Sequence, residues 1–236
     1  MRDERHWIPP LALLRLLSWL SPTFPIGSYS YSHGLEWGVE AGDVRDRISL
    51  VDWLEADLRY GSGRNEAIFF VEAWRSAVED DRPKLFDIAE LAAAFRGTSE
   101  FALESAQQAA SCLSTLQQVW PDCLLEWLSE ALSERRVQPS LALVLGISSA
   151  RQAISLELAL PAFLQSYIAN LVGAGVRLIP LGQTDGQLAI AALAQAVQLA
   201  SAEAERSEIR DLGSAAFMVE LASMAHETQY TRIFRS

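Results

Sequence analysis

The 236-residue chain is short of the residues that most often carry chemistry: it has two cysteines, Cys112 and Cys123, and three histidines, His6, His33 and His226. Two cysteines build no disulfide framework. Both sit inside apolar helical patterns, where a thiol behaves as a small buried hydrophobe of a reduced compartment. The histidines are far apart in sequence, and CxxC, HExxH and acidic metal-loop spacings are missing. No metal site is therefore expected, and His33 and His226 are only weak candidates for a ligand. Basic charge is scarce as well: 19 Lys+Arg against 30 Asp+Glu give a formal net charge of −11. That balance speaks against a nucleic-acid binder or a ligand of acidic membranes, and fits a basic partner surface. Uninterrupted runs of the ~18 apolar residues a membrane span needs do not occur. The low-charge region from Val137 to Val176 is broken by Pro139, Arg151, Glu157 and Pro161 and reads as buried helices. The first residues mix both charge signs ahead of Pro9 and Pro10, and Arg15 and Ser18 interrupt the apolar run behind them, unlike a signal peptide. Residues 1–10 are expected to be flexible, and the protein cytoplasmic.

Strand signals are absent too. Apolar residues recur instead at helical spacing along almost the whole chain. Val51, Leu54 and Leu58 follow Ser49 and Asp52, whose spacing suits a capping box. Leu85, Ile88, Leu91 and Phe95 form a stripe that ends at Gly97. Thr98-Ser99-Glu100 can start the next helix, with Leu103, Ala106, Ala110, Leu113 and Leu116 as its stripe, and Trp120-Pro121 stops it. Leu124, Leu125, Leu128 and Leu132 make another. Beyond Pro139, the segments Leu141 to Ile147, Ile154 to Leu160, Phe163 to Val172 and Leu188 to Ala200 are apolar on nearly every side, as in the centre of a bundle or a subunit interface. No linker or repeat divides the chain. The expected fold is all-α, a single-domain bundle of about ten helices over residues 1–236, with an ordered N-terminal loop and a C-terminal tail.

Three segments depart from this pattern. Residues 21–34 form a Pro/Gly/Ser loop loaded with aromatics, which is either tucked into the core or built to meet something. Residues 181–187 read first as a helix start, with Thr184 as N-cap, Gln187 as its reciprocal partner and Asp185 favoured by the helix dipole; Gly182, Gln183 and Gly186 remain unexplained. The loop lacks the Lys-Ser/Thr of a phosphate-binding P-loop. The tail, residues 226–236, keeps Tyr230, Ile233 and Phe234 and carries Arg232 and Arg235. Tyr, Phe and Arg are interface anchors, so the tail is either a partner-binding segment or the end of a helix docked on its own core. Ser28, Ser30, Ser32 and His33 lie close together without a nucleophile elbow around them.

These segments together resemble the urease accessory protein F (UreF) family: the loop from Ser21 to Glu36, the stretch from Val176 to Gln187, and the tail from His226 to Ser236, in that order and spacing. The resemblance spans nearly the whole chain; residues 64–138 carry no family motif. It implies an all-α, homodimeric protein with neither enzymatic activity nor cofactor of its own. It further implies an adaptor bridging the UreD/UreH scaffold and the UreG GTPase, so that the complex handles nickel and GTP and delivers nickel to apo-urease. No nucleic acid or membrane partner is implied. By resemblance, partner contacts fall on His226, Glu227, Gln229, Tyr230, Arg232, Phe234 and Arg235 of the tail. The loop residues Tyr29, Tyr31, His33 and Glu36 lie near the same surface, with His33 where the family pattern has glutamine. Gly182, Gln183, Thr184, Asp185, Gly186 and Gln187 line a subunit interface or the nickel path. The tail is expected to order on binding, so that its removal leaves helicity and thermal stability nearly unchanged. Two other readings stay open: a nickel-carrying metallochaperone using His33, His226 or the cysteines, and an all-α hydrolase using Ser30 and His33.

Overall fold

The computed structural model describes residues 10–236. The expected flexible N-terminus lies outside them except for Pro10, as does His6. Among the described residues there are eleven α-helices, two short 3-10 turns and no strand, as the periodicity predicts. In order they are α1 (Pro10–Trp19), α2 (Leu35–Glu40), α3 (Arg47–Tyr60), α4 (Ser62–Val78), α5 (Arg82–Ala94), α6 (Ser99–Val119), α7 (Cys123–Arg135), α8 (Leu141–Arg151), α9 (Leu156–Leu178), α10 (Gln183–Ala204) and α11 (Phe217–His226).

Side-chain caps start many of these helices. Thr98 accepts from the Phe101 amide and begins α6 as expected, and Asp81, Asp122 and Ser140 do the same for α5, α7 and α8. The capping box of α3 lies three residues earlier than the sequence suggests: Asp46 and Ser49 cap each other's backbone, at 2.8 and 3.1 Å, and Asp52 is inside the helix. An aspartate in extended backbone offers a better acceptor to free amides than a serine already within the first turn.

α4 is the axis of the core. Residues 67–73 are buried all round, and α8 packs along them. The approach is close enough that a Cβ on Gly146 would stand 2.7 Å from the Phe70 carbonyl oxygen, so only glycine lets the two backbones meet there. Phe70 stacks on Phe163 of α9, with ring centroids 5.0 Å apart. α9 and α10 form a hairpin against α3 and α4. The segments expected as separate helices on either side of Pro161 are one continuous helix. The missing proline amide forfeits a single bond, in the second turn, to Glu157, which is exposed and can turn its carbonyl to water. By length and composition α9 could cross a membrane (mean hydropathy 1.3), but half of that apolar window is buried within the bundle.

Buried apolar residues of α1 to α10 form one cluster, which Phe234 of the tail joins. α6 differs from its expected register. Phe101, Glu104, Gln108, Cys112, Leu113 and Leu116 are buried, whereas Leu103 is exposed. The inward face of its first half is polar because other segments supply partners for it.

Candidate functional site

The aromatic loop and the tail, some two hundred positions apart, meet on the first half of α6. The turn that makes this possible contains two successive left-handed residues, His33 (φ 57°) and Gly34 (φ 77°). A Cβ on Gly34 would lie 2.9 Å from the Ser223 backbone nitrogen, so glycine is required both for its conformation and for contact with α11. The turn sends His33 inward and opens α2, whose Glu36 is 4% exposed.

Glu36 is the tail's principal anchor. Its carboxylate accepts from the backbone amides of Ile233 (2.7 Å) and Phe234 (2.8 Å), and contacts His226 Nε2 at 3.1 Å. His226, wholly buried, turns Nδ1 to Glu100 at 2.8 Å. Each imidazole nitrogen of His226 thus faces a buried carboxylate. Glu100 also pairs with Arg232 at 3.1 Å. One turn on, Glu104 receives the Ser236 hydroxyl at 2.8 Å, the Gln108 amide at 3.0 Å and His33 Nδ1 at 3.2 Å. Between the two chain segments, the Arg235 amide donates to the Ser30 carbonyl at 2.8 Å and the Ser32 amide to the backbone oxygen of Ser236 at 2.7 Å, while the Ser32 hydroxyl bonds that same oxygen. Buried carboxylates thus stand where unpaired backbone amides need acceptors, an arrangement that is stable only when complete.

The tail is therefore docked in the unbound chain. Phe234 is 4% exposed and Ser236 not at all. This corrects the expectation of a tail whose removal leaves stability unchanged: cutting it strips three buried glutamates of their partners. His226, a weak metal-ligand candidate and a tail contact by resemblance, is a wholly buried histidine. What the docked tail turns outward is Tyr230, fully exposed, with Ile233 and Arg235 also exposed.

Arg177 of α9 fastens loop to tail. Its guanidinium lies 3.6 Å from the Tyr29 ring centroid and 4.4 Å from that of Phe234, and its Nη1 donates to the Tyr29 carbonyl at 2.8 Å. Tyr29 is exposed; Tyr31 is buried and bonds Gln107 through its hydroxyl. Glu227 accepts from the Ser99 hydroxyl (2.6 Å) and amide (3.1 Å), bonds that hold its carboxyl below the usual range. Gln229 bonds within the tail, to the Thr231 carbonyl.

The His33 ring stacks on Phe101 with centroids 3.9 Å apart and meets Tyr167 edge-on. Burial alone would lower its pKa. The Glu104 charge and hydrogen bond, with Asp57 and Glu66 further off, outweigh burial and raise it above the ordinary 6.5. Tyr167 donates to Asp57 at 2.7 Å, and burial, reinforced by that carboxylate, pushes its pKa well up. These side chains border a cavity of about 80 Å³, also lined by Glu66, Arg96 and Gln108. Ser30 and His33 form no dyad: Nδ1 is engaged by Glu104 and Nε2 bonds no protein group. Among the described residues, no three His, Cys, Asp or Glu side chains are grouped to hold a metal ion.

Residues 182–187 make no hydrogen bond to loop or tail. Their cap is Gly182, whose amide donates to Asp185 at 3.3 Å, rather than the expected pair Thr184 and Gln187. The extended Gly182 places Asp185, not Gln187, at the position that reaches back. Asp185 also faces Arg47 at 3.7 Å. Gln183, Thr184 and Gln187 are exposed, and Gly186 is buried against Val176. Sequence reasoning missed Glu100, Glu104, Ser32 and Arg177. A signal existed for the glutamates: with Phe101 and Gln108 they fall at helical spacing on a face that continues into Cys112 and Leu116.

The model of the family described as UreF matches residues 44–194. Among curated relatives, the urease accessory protein UreF of Rhodopseudomonas palustris (strain BisB5) is 44% identical over 225 residues, 95% of this chain and 91% of the relative. Its namesake in Granulibacter bethesdensis is 44% identical over 95% of this chain and 94% of its own length. That of Bradyrhizobium diazoefficiens is 43% identical over 95% and 92%.

Proposed function

The chain belongs to the UreF family, and on that premise we propose that it is a urease accessory protein with no catalytic activity of its own. It acts as a single-domain, homodimeric adaptor in the cytoplasm. It joins a UreD/UreH-type scaffold to a UreG-type GTPase, influences GTP hydrolysis, and so takes part in delivering nickel, the cargo, to apo-urease. The observation that carries this reading is the docked tail. Three buried glutamates order it, and its outward side presents Tyr230, Ile233 and Arg235, the last bonded through its amide to Ser30 beside the exposed Tyr29, aromatic and cationic anchors already held in place. Preorganised anchors spare the ordering entropy a loose tail would lose on binding. Two further exposed apolar faces suit an adaptor: Leu11, Leu14 and Leu17 on α1, and Phe217, Leu221 and Met224 on α11. The leucine stripe of α1 fits helix-to-helix contact with a second copy.

The metallochaperone reading has less support. Both nitrogens of His226 are engaged by carboxylates, and burial pushes the Cys112 thiol up, away from the thiolate that binds metal.

Size exclusion with light scattering on mixtures with scaffold and GTPase tests the proposal. The full chain is expected to form a complex with two copies of itself. Tyr230→Ala combined with Ile233→Ala should keep the melting temperature and weaken scaffold binding at least tenfold, about 1.4 kcal/mol. If the unaltered chain binds neither partner, the adaptor reading fails. If the double variant binds normally, the tail is not the contact.

A further inference from the structure

We propose that His33 is a proton-operated latch for the tail: protonated, it neutralises Glu104 and lets Ser236 close over that carboxylate; deprotonated, it leaves Glu104 buried without a cation and the tail loosens. This deepens the adaptor reading, since the latch governs whether the anchors are presented.

The geometry makes His33 the only cation in contact with Glu104 among the described residues. From α6, Glu104 contacts His33 directly, and Glu100 is occupied by Arg232 and His226. From α3 comes Asp57, bonded to Tyr167 of α9 and to the amides of Ser62 and Gly63. Glu66 of α4 is paired with Nη1 of Arg96, whose Nη2 bonds no protein group. The remaining donors to Glu104, the Gln108 amide and the Ser236 hydroxyl, are neutral, and the Ser236 backbone oxygen is taken up by Ser32. A carboxylate 8% exposed, with two other acids nearby, is costly to keep dry once its one cation is lost. Lifting Ser236 away readmits water, so the undocked tail gains on the docked one.

The sign follows from charge: a protonated His33 offsets the Glu104 carboxylate that Ser236 covers, and the neighbouring acids raise its pKa. Its contribution to docking is complete below the ordinary value of 6.5 and disappears as pH climbs through the raised one. Each unit by which docking raises that pKa weakens docking about tenfold across the titration. His33 is a residue apt for such a role, because imidazole alone among unperturbed side chains changes charge near neutrality.

The test uses the full chain without partners, so its outcome is independent of whether the adaptor reading stands. The δ1-methyl of Ile233, labelled with carbon-13 and assigned with Ile233→Val, reports the tail; the His33 ring protons report its charge. Between pH 6 and 9.5 the Ile233 methyl should move from its docked position towards a random-coil one, with the midpoint at which His33 titrates. His33→Gln, neutral at every pH, leaves Glu104 without a cation and should keep the Ile233 methyl towards its random-coil position throughout, its fold verified by the other isoleucine methyls. A tail signal that stays put while His33 titrates, or a His33→Gln protein that stays docked or shifts as the unaltered one does, overturns the proposal. So does a His33 that does not titrate within that range. Should His33→Gln fail to fold, coincidence of the two midpoints in the unaltered chain decides alone.

Discussion

The contact between α4 and α8 and the contact between tail and α6 are both buried, yet they are held by opposite means. Along α4 the partners are apolar, and Phe70, Phe69 and Leu143 contribute by area and fit, which are non-directional. At the dock the partners are buried carboxylates, histidines, an arginine and backbone amides, each bond with a required direction. The first kind of contact tolerates imperfect neighbours and loses stability by degrees. The second is satisfied as a set, so removing one member strands the others.

Substitutions that separate these behaviours sharpen the contrast. The largest loss is expected in the apolar region: Phe70→Ala removes a stacked, 1%-exposed ring and should cost about 3–5 kcal/mol in chemical denaturation, leaving the tail docked until the bundle melts. At the dock, Glu36→Ala should cost less in global unfolding, about 2–3 kcal/mol, because two amides and His226 lose their acceptor. Its signature would be local: proteolysis between His226 and Ser236 well below the melting transition. If Glu36→Ala melts the whole protein without earlier tail cleavage, the two regions are one cooperative unit and the comparison fails. The smallest change is expected outside both regions. Asp185→Ala removes an exposed cap and an exposed ion pair with Arg47, and should lower stability by about 0.5–1 kcal/mol. Loss of urease activation at that small penalty would give residues 182–187 a role beyond capping.

This contrast also explains what the sequence disclosed. Apolar burial leaves a periodic trace, so helices such as α6, bounded by Thr98 and Trp120-Pro121, are readable from spacing alone. Directional contacts leave none. Nothing in the order of residues 30–36 announces that their amides and acids complement residues 232–236, and the helical spacing that puts Glu100 and Glu104 on the face of Cys112 and Leu116 marks them as inward without naming their partner. The same blindness misassigned the register of α6, where Leu103 was expected inside and is exposed. It also hid Arg177, one arginine among many, whose meaning comes only from the two rings on either side of it. The family resemblance, by contrast, marked the loop and the tail together, because shared motifs record a contact that periodicity does not.

The bond between Phe234 and Glu36 closes a loop of 198 residues. Contacts so distant along the chain form late, since their entropy must be offset by structure already gathered between them. A polypeptide whose helices have not yet assembled therefore has no docked tail on which to offer Tyr230 and Ile233. Whatever docks there is, in effect, inspecting workmanship: it meets a finished molecule or it meets nothing.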